Sequence, residues 1–371
     1  MEKSLTSSPG ANPKASSGVN AHSKMYIPSL DGIRTIAFLI VFLSHAGLAK
    51  VFPGSFGVTI FFFLSGYLIT TLLRLEYDRY ENIDLKFFYL RRILRIWPSF
   101  YLVLGLGAGL TLLELLPGKI IPAAFIAQFL HYTNYYGIFF GGGMAAGSWV
   151  YWSLAVEEHF YLLFPLFYLL LRKLRITPRM QMLIFWGLCL AVLLWRCVLF
   201  YGFSVSEGRI LCSTDTRVDS ILFGCALAVS GNPILDTQDY SNKLWKYFFL
   251  PLGIIVILLT CLSRSFEFRQ TIRFTIQGIA LYPIFITAIR FPNWGFFTVL
   301  NLKWVRFVGI LSYSLYLVHY SVLFLIWKYF PQLDKVFQAG IGLLISFTLA
   351  YLIYQFIEFP FGRLRKKFSR A

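Results

Sequence analysis

Three groups of residues have types and spacings that could do chemistry. The first is the stretch 29–45, SLDGIRTIAFLIVFLSH, an apolar span with Asp31 and Arg34 at its entrance and His45 deep inside. On one continuous helix, Arg34 and His45 would share nearly one face, about 16 Å apart along the axis. An ionisable ring that far into an apolar span is a functional-site hypothesis, because lipid penalises polar groups without partners. A histidine satisfied by a neighbouring helix is the alternative. The second group is RRILRIWP (91–98), where Arg91 and Arg95, like Arg92 and Arg95, lie one helical turn apart. Guanidinium forks match phosphate geometry, but arginines that only anchor a span at the membrane face would look the same. The third is WSLAVEEHFYLL, with Glu157 and Glu158 near the start of an apolar run. Adjacent helical positions point about 100° apart, so at least one acid faces the bundle interior or water, as a site group or as an arginine's partner.

The elements that position these groups follow from composition. Of the 371 residues 57% are hydrophobic and 19% aromatic, with a mean hydropathy of +0.66, which excludes an ordinary soluble enzyme. Continuous apolar runs near 20 residues predict an all-α polytopic transmembrane helix bundle and exclude the short alternating strands of a barrel. About ten spans are expected, near 31–48, 57–73, 99–116, 151–171, 182–201, 217–230, 246–263, 272–289, 305–327 and 338–357. Residues 1–25, rich in Ser, Ala, Gly and Pro, read as a disordered tail without the apolar core of a signal peptide. Residues 26–360 form the membrane domain, and 361–371 a basic tail. An even number of spans puts both termini on one side. That side carries most of the lysines and arginines of the connections, so both termini are expected in the cytoplasm.

The net charge of +17 sits in short clusters between spans, so it reads as topology and not as a nucleic-acid surface. Five isolated cysteines support neither a metal site nor a disulfide framework. The glycine run at 141–143 follows no strand and is not read as a nucleotide loop. Asp215, Arg217 and Asp219 read as interhelical salt bridges. Ser312 and His319 stand one heptad apart on similar faces of the ninth span.

Taken in series, LDGIRTIAFLIVFLSHAG (30–47), GVTIFFFLSGYLIT (57–70), RRILRIWP (91–98), WSLAVEEHFYLLFP (152–165), RVDSILFGCALA (217–228) and SYSLYLVH (312–319) resemble the acyltransferase-3 family of integral membrane O-acyltransferases. The six stretches come in the family's order and span nearly the whole chain. The resemblance implies transfer of an acyl group, commonly acetyl from acetyl-CoA, to a hydroxyl of a sugar or other cell-surface molecule, in a bacterial inner membrane. It also implies that His45 is catalytic and that Arg92 and Arg95 matter for activity. Family members often carry an acid where this chain has Thr59. Some relatives add a C-terminal hydrolase-like domain, whereas this sequence stops just after the tenth span.

A hydroxyl is a poor nucleophile at neutral pH, and a positioned histidine is suited to take its proton. His45 as general base and His45 as a covalent acyl carrier both fit the sequence. Arg92 and Arg95, with Arg91 and Arg34, would hold the phosphates of acetyl-CoA or another acyl-CoA. Glu157 would tune His45 or orient the acceptor. Asp31, Trp152, Glu158 and His319 are the further candidates for contact with a carbohydrate acceptor. No metal is expected. A multi-span transporter with a proton relay is the alternative function, though the sequence shows no clear inverted repeat.

Overall fold

The computed structural model describes residues 27–236 and 241–368. The expected disordered tail at 1–25 and the last residues of the basic tail lie outside the described residues. Helices run in the order α1 (Pro28–Leu43), α2 (Gly54–Tyr80), α3 (Leu85–Leu112), α4 (Pro122–Phe129), α5 (Thr133–Phe139), α6 (Trp152–Lys173), α7 (Pro178–Cys197), α8 (Glu207–Cys212) and α9 (Thr214–Val229). They continue with α10 (Asn242–Leu244), α11 (Leu250–Leu262), α12 (Phe266–Gln270), α13 (Arg273–Arg290), α14 (Phe297–Leu300), α15 (Lys303–Tyr329), α16 (Lys335–Ile353) and α17 (Phe359–Lys366). The described residues contain no strand, only an isolated bridge between Gly118 and Ala145. The protein is a helical membrane bundle.

Local sequence sets the helix starts. Pro28 and Pro178 open α1 and α7, where a missing N–H costs nothing. Asp84 caps α3 by accepting the Phe87 N–H at 3.0 Å, and Asp334 caps α16 by accepting the Val336 N–H at 2.8 Å.

Among the described residues, eight helices are long and apolar enough to cross a membrane. Two of the ten expected spans fall outside that set. α9 has 16 residues, about 24 Å of helix, and nearly all of them are buried. Its apolarity serves a protein core and not a lipid face. α13 has 18 residues but carries an arginine at each end and Gln277 between.

The core forms around α2, whose Phe62, Phe63 and Tyr67 are fully buried. α9 lies directly against it. A Cβ on Gly66 would come within 2.0 Å of Ile221 O, and one on Gly224 within 2.0 Å of Phe63 O. These glycines let the two backbones touch, which is how membrane helices gain packing without a hydrophobic drive between them. A fully buried ion pair crosses from α7 to α9, with Arg196 Nη1 2.7 Å from Asp219 Oδ2. Arg196 also donates to Thr216 O, Thr271 O and Thr275 Oγ1. The sequence placed Asp215 and Asp219 in salt bridges, and they are, but with Arg209 and Arg196. Arg217 has no carboxylate within 4 Å: it donates to Thr59 Oγ1 at 2.9 Å and Leu211 O at 3.1 Å beneath the rings of Phe274, Phe62 and Trp152.

Candidate active site

A cavity of about 620 Å³ opens between α1, α2, α3, α6, α15 and α17, a size typical of small-molecule sites. Each wall brings one polar element. From α1 come Asp31 and Arg34, joined at 2.7 Å. The α2 and α6 walls meet in a chain: Tyr161 Oη donates to Ser65 Oγ at 3.2 Å, and Ser65 Oγ donates to Glu157 Oε1 at 2.5 Å. Glu358, at the end of a π turn (Tyr354–Glu358), accepts from Ser314 Oγ.

The three neighbouring arginines of α3 divide. Arg91 is turned away and tied down, 3.0 Å from Glu76 Oε2 and 3.0 Å from Phe368 O. Arg92 and Arg95 line the cavity, and neither has an ion pair within 4 Å among the described residues. Arg92 lies over the rings of Phe88 and Tyr161, with its Nε buried and without a partner. A buried guanidinium nitrogen without an acceptor is costly, and an anion in the cavity would offset that cost.

His45 sits in a second centre that does not line the cavity. The α-helical pattern of α1 ends at Leu43 and a π turn (Ser44–Leu48) follows, with Gly47 at φ 105°. The helical backbone continues through His45 and leaves helical φ/ψ only at Gly47. It places His45 Nδ1 2.9 Å from His319 Nε2 and stacks its ring on Tyr320 at 4.2 Å. π turns of this kind recur at functional sites.

His319 is fully buried, and its Nδ1 lies 2.9 Å from Tyr316 O and 3.2 Å from Leu315 O. A carbonyl only accepts, so Nδ1 of His319 carries the proton and Nε2 offers a lone pair. His45 Nδ1–H therefore donates to it, which leaves the Nε2 lone pair of His45 free. His45 is thereby set in the tautomer of a general base. The two centres adjoin: Tyr316 lines the cavity and packs on His319 at 5.6 Å, and Phe61 meets Tyr316 edge-on at 6.1 Å.

Among the residues singled out from the sequence, the cavity gathers Asp31, Arg34, Arg92, Arg95 and Glu157, while His45 and His319 form the adjoining pair. Arg91, Trp152 and Glu158 stand apart. Trp152 packs edge-on against Phe62 and over Arg217, and the Glu158 carboxyl lies beside Trp97 with Oε1 buried and unpartnered. Sequence reasoning passed over Ser65, Tyr161, Glu358 and Arg365. Only Glu358 carried a usable signal, as an acid closing the last apolar run.

A helical bundle with a cation-lined cavity beside a buried histidine pair has the parts that a membrane group-transfer protein needs. The chain is a member of the acyltransferase-3 family, whose model, described as an acyltransferase domain, matches residues 27–355. It is 30% identical over 359 residues to the peptidoglycan O-acetyltransferase OatA of Listeria monocytogenes serovar 1/2a, covering 91% of this chain and 56% of that one. It is 32% identical over 374 residues to the O-acetyltransferase OatA of Staphylococcus aureus strain NCTC 8325, covering 94% of this chain and 59% of that one. A putative O-acetyltransferase of S. aureus strain COL is 32% identical over 360 residues. The chain thus spans somewhat more than half the length of these relatives. No solved structure matches.

Proposed function

We propose that the chain is a membrane O-acetyltransferase that takes acetyl from acetyl-CoA, or a related acyl-CoA, and delivers it to a hydroxyl of a cell-wall polysaccharide such as peptidoglycan. The observation that carries this reading is the His45–His319 pair, which presents an unprotonated Nε2 one ring away from a cavity walled by unpaired arginines. The reading takes both termini as cytoplasmic, which puts the arginines where acyl-CoA is made and His45 toward the opposite face.

The donor's phosphates lie against Arg92 and Arg95, and its pantetheine arm extends past Ser65 and Glu157 toward Phe61 and Tyr316. The acceptor hydroxyl gives its proton to His45 Nε2 as its oxygen attacks the thioester carbonyl. His45 becomes an imidazolium whose Nδ1–H bond to His319 turns charge-assisted. When the tetrahedral centre collapses the C–S bond breaks, and the departing thiolate takes the proton back from His45. Neither histidine changes net protonation over the cycle. Glu157, held by Ser65 and Tyr161, lies at the donor's path and is assigned to orienting the arm and not to proton transfer with His45.

The test is label transfer. Membranes containing the full chain receive acetyl-CoA labelled in the acetyl group together with peptidoglycan fragments. Covalent label on the fragments is expected, and His45→Ala is expected to abolish it while inserting and purifying normally. Full transfer by that variant would remove His45 from the chemistry.

A further inference from the structure

We infer that the C-terminal helix α17 is part of the donor site, with Arg365 completing a cradle of three guanidinium groups for the donor's phosphates; this rests on the acyl-CoA reading above. The sequence offers 361–371 only as a basic tail. In the structure the last helical run continues through the π turn at Tyr354–Glu358 into α17, which lines the cavity. Glu358, Gly362, Arg365 and Lys366 recur at helical spacing on one face, and that face lines the cavity.

Two contacts fix the helix against α3, the element that carries Arg92 and Arg95. Arg91 donates to Phe368 O at 3.0 Å, and the rings of Phe87 and Phe368 meet at 6.0 Å. This explains why Arg91 differs from its neighbours: it holds the cradle together and does not line it. Among the described residues the Arg365 side chain has no ion pair within 4 Å and no hydrogen bond. The one acid on its face, Glu358, is engaged by Ser314.

Arg92, Arg95 and Arg365 therefore line one cavity with like charges, and Glu358, the carboxylate that faces both Arg95 and Arg365, forms no ion pair within 4 Å with either. That arrangement is unfavourable alone and favourable once a polyphosphate binds, because guanidinium forks pair with phosphate oxygens. The pyrophosphate and ribose phosphate of CoA supply such an anion. Gly362 lines the cavity and a Cβ there would meet nothing within 4 Å, so a side chain can be built from this position to narrow the mouth.

The full chain in nanodiscs of zwitterionic lipid, titrated calorimetrically with CoA, tests this. Arg365→Ala is expected to weaken CoA about 10- to 100-fold, the value of one charge-assisted contact, with partial recovery in Arg365→Lys. Gly362→Phe is expected to weaken CoA at least as much while keeping the wild-type melting midpoint. Titration with dephospho-CoA identifies the contact, since loss of sensitivity to Arg365→Ala assigns Arg365 to the ribose phosphate and retained sensitivity assigns it to the pyrophosphate. Unchanged CoA affinity in Arg365→Ala, with affinity lost in Arg92→Ala, overturns the role of α17 and leaves the donor reading standing. If Arg365→Ala fails to fold, unchanged affinity in Gly362→Phe overturns it equally. Absence of CoA binding by the wild type overturns both. Displacement of CoA by anionic phospholipid in the disc would give the cradle to a lipid headgroup and overturn it too.

Discussion

Removing His319 should slow the chemical step without touching donor binding. The Nε2 of His319 is the acceptor that holds His45 in its base tautomer, 2.9 Å away, and His319 is itself fixed by Tyr316 O. In the ground state this is a neutral hydrogen bond worth about 0.5–1.5 kcal/mol. As His45 takes the acceptor's proton the bond becomes one to a charged group, worth about 1.5–3 kcal/mol. The excess acts in the transition state, so with orientation lost as well, kcat should fall by about 10- to 100-fold. The ring of His319 also packs on Phe38, Phe42 and Tyr316, and His319→Ala would leave a hole costing about 2–4 kcal/mol of stability. The informative variants therefore keep the volume. His319→Leu removes the acceptor, and His319→Gln replaces it with an amide oxygen. Acetyl transfer to a soluble glycan acceptor, measured in nanodiscs over a range of acetyl-CoA concentrations, should show kcat reduced in the leucine variant and partly restored in the glutamine variant. The KM for acetyl-CoA should stay near wild type, because His319 does not line the donor cavity. A folded His319→Leu enzyme with wild-type kcat would refute the tautomer argument, and so would a loss confined to KM.

Four further outcomes follow from the geometry. Arg92→Ala and Arg95→Ala should each raise the Kd for CoA about tenfold or more, whereas Arg91→Ala, which loosens α17 without removing a cavity-lining charge, should raise it less than either and lower the melting midpoint, since Arg91 ties Glu76 and Phe368; calorimetry and thermal unfolding separate the two. Phe61→Trp, which enlarges the ring between cavity and histidine pair, should reduce kcat while CoA affinity is unchanged in the same titration. Arg196→Ala should destabilise the bundle by about 3–5 kcal/mol, seen as a lowered denaturation midpoint, because it strands Asp219 in the core. Thr59→Asp should raise that midpoint, because a carboxylate at this position meets Arg217; it sacrifices the Thr59 hydrogen bond to Ser55 O, worth about 1 kcal/mol, and gains a charge-assisted one.

The sequence made the class legible because lipid imposes a length and a composition on any helix that crosses it. Asp31, Arg34, Arg92, Arg95 and Glu157 could be chosen in advance because a charge within or beside an apolar run has few reasons to be there. What could not be read was which face each residue presents. Arg91 and Arg92 are neighbours in sequence, yet one grips Glu76 and the other faces the cavity, and no spacing rule separates them. That His45 meets a second histidine was equally unreadable, because His319 comes from α15, 274 residues further on. Ser65 and Tyr161 stayed hidden because a hydroxyl in an apolar run is common, and only the fold shows that both converge on Glu157. α9 looked like a span because a helix buried in protein and one buried in lipid have the same composition.

Partner status divides the interior arginines more sharply than position does. Arg196 has a carboxylate and three further acceptors, so its charge is consumed by the fold. Arg91 is likewise consumed, although it stands in the stretch most suggestive of a ligand. Arg92, Arg95 and Arg365 are left without acceptors on the wall of one cavity, which is the condition under which a guanidinium contributes to binding instead of to folding. Arg217 is the test of the rule. It too has no carboxylate within 4 Å among the described residues, but it does not line this cavity, and the faces of Phe274, Phe62 and Trp152 take the place of solvent around its charge. An interior charge that is neither paired nor open to a ligand is held at a cost, and the hydroxyl of Thr59 covers only part of it. Thr59 is therefore the position where this chain has room to gain stability.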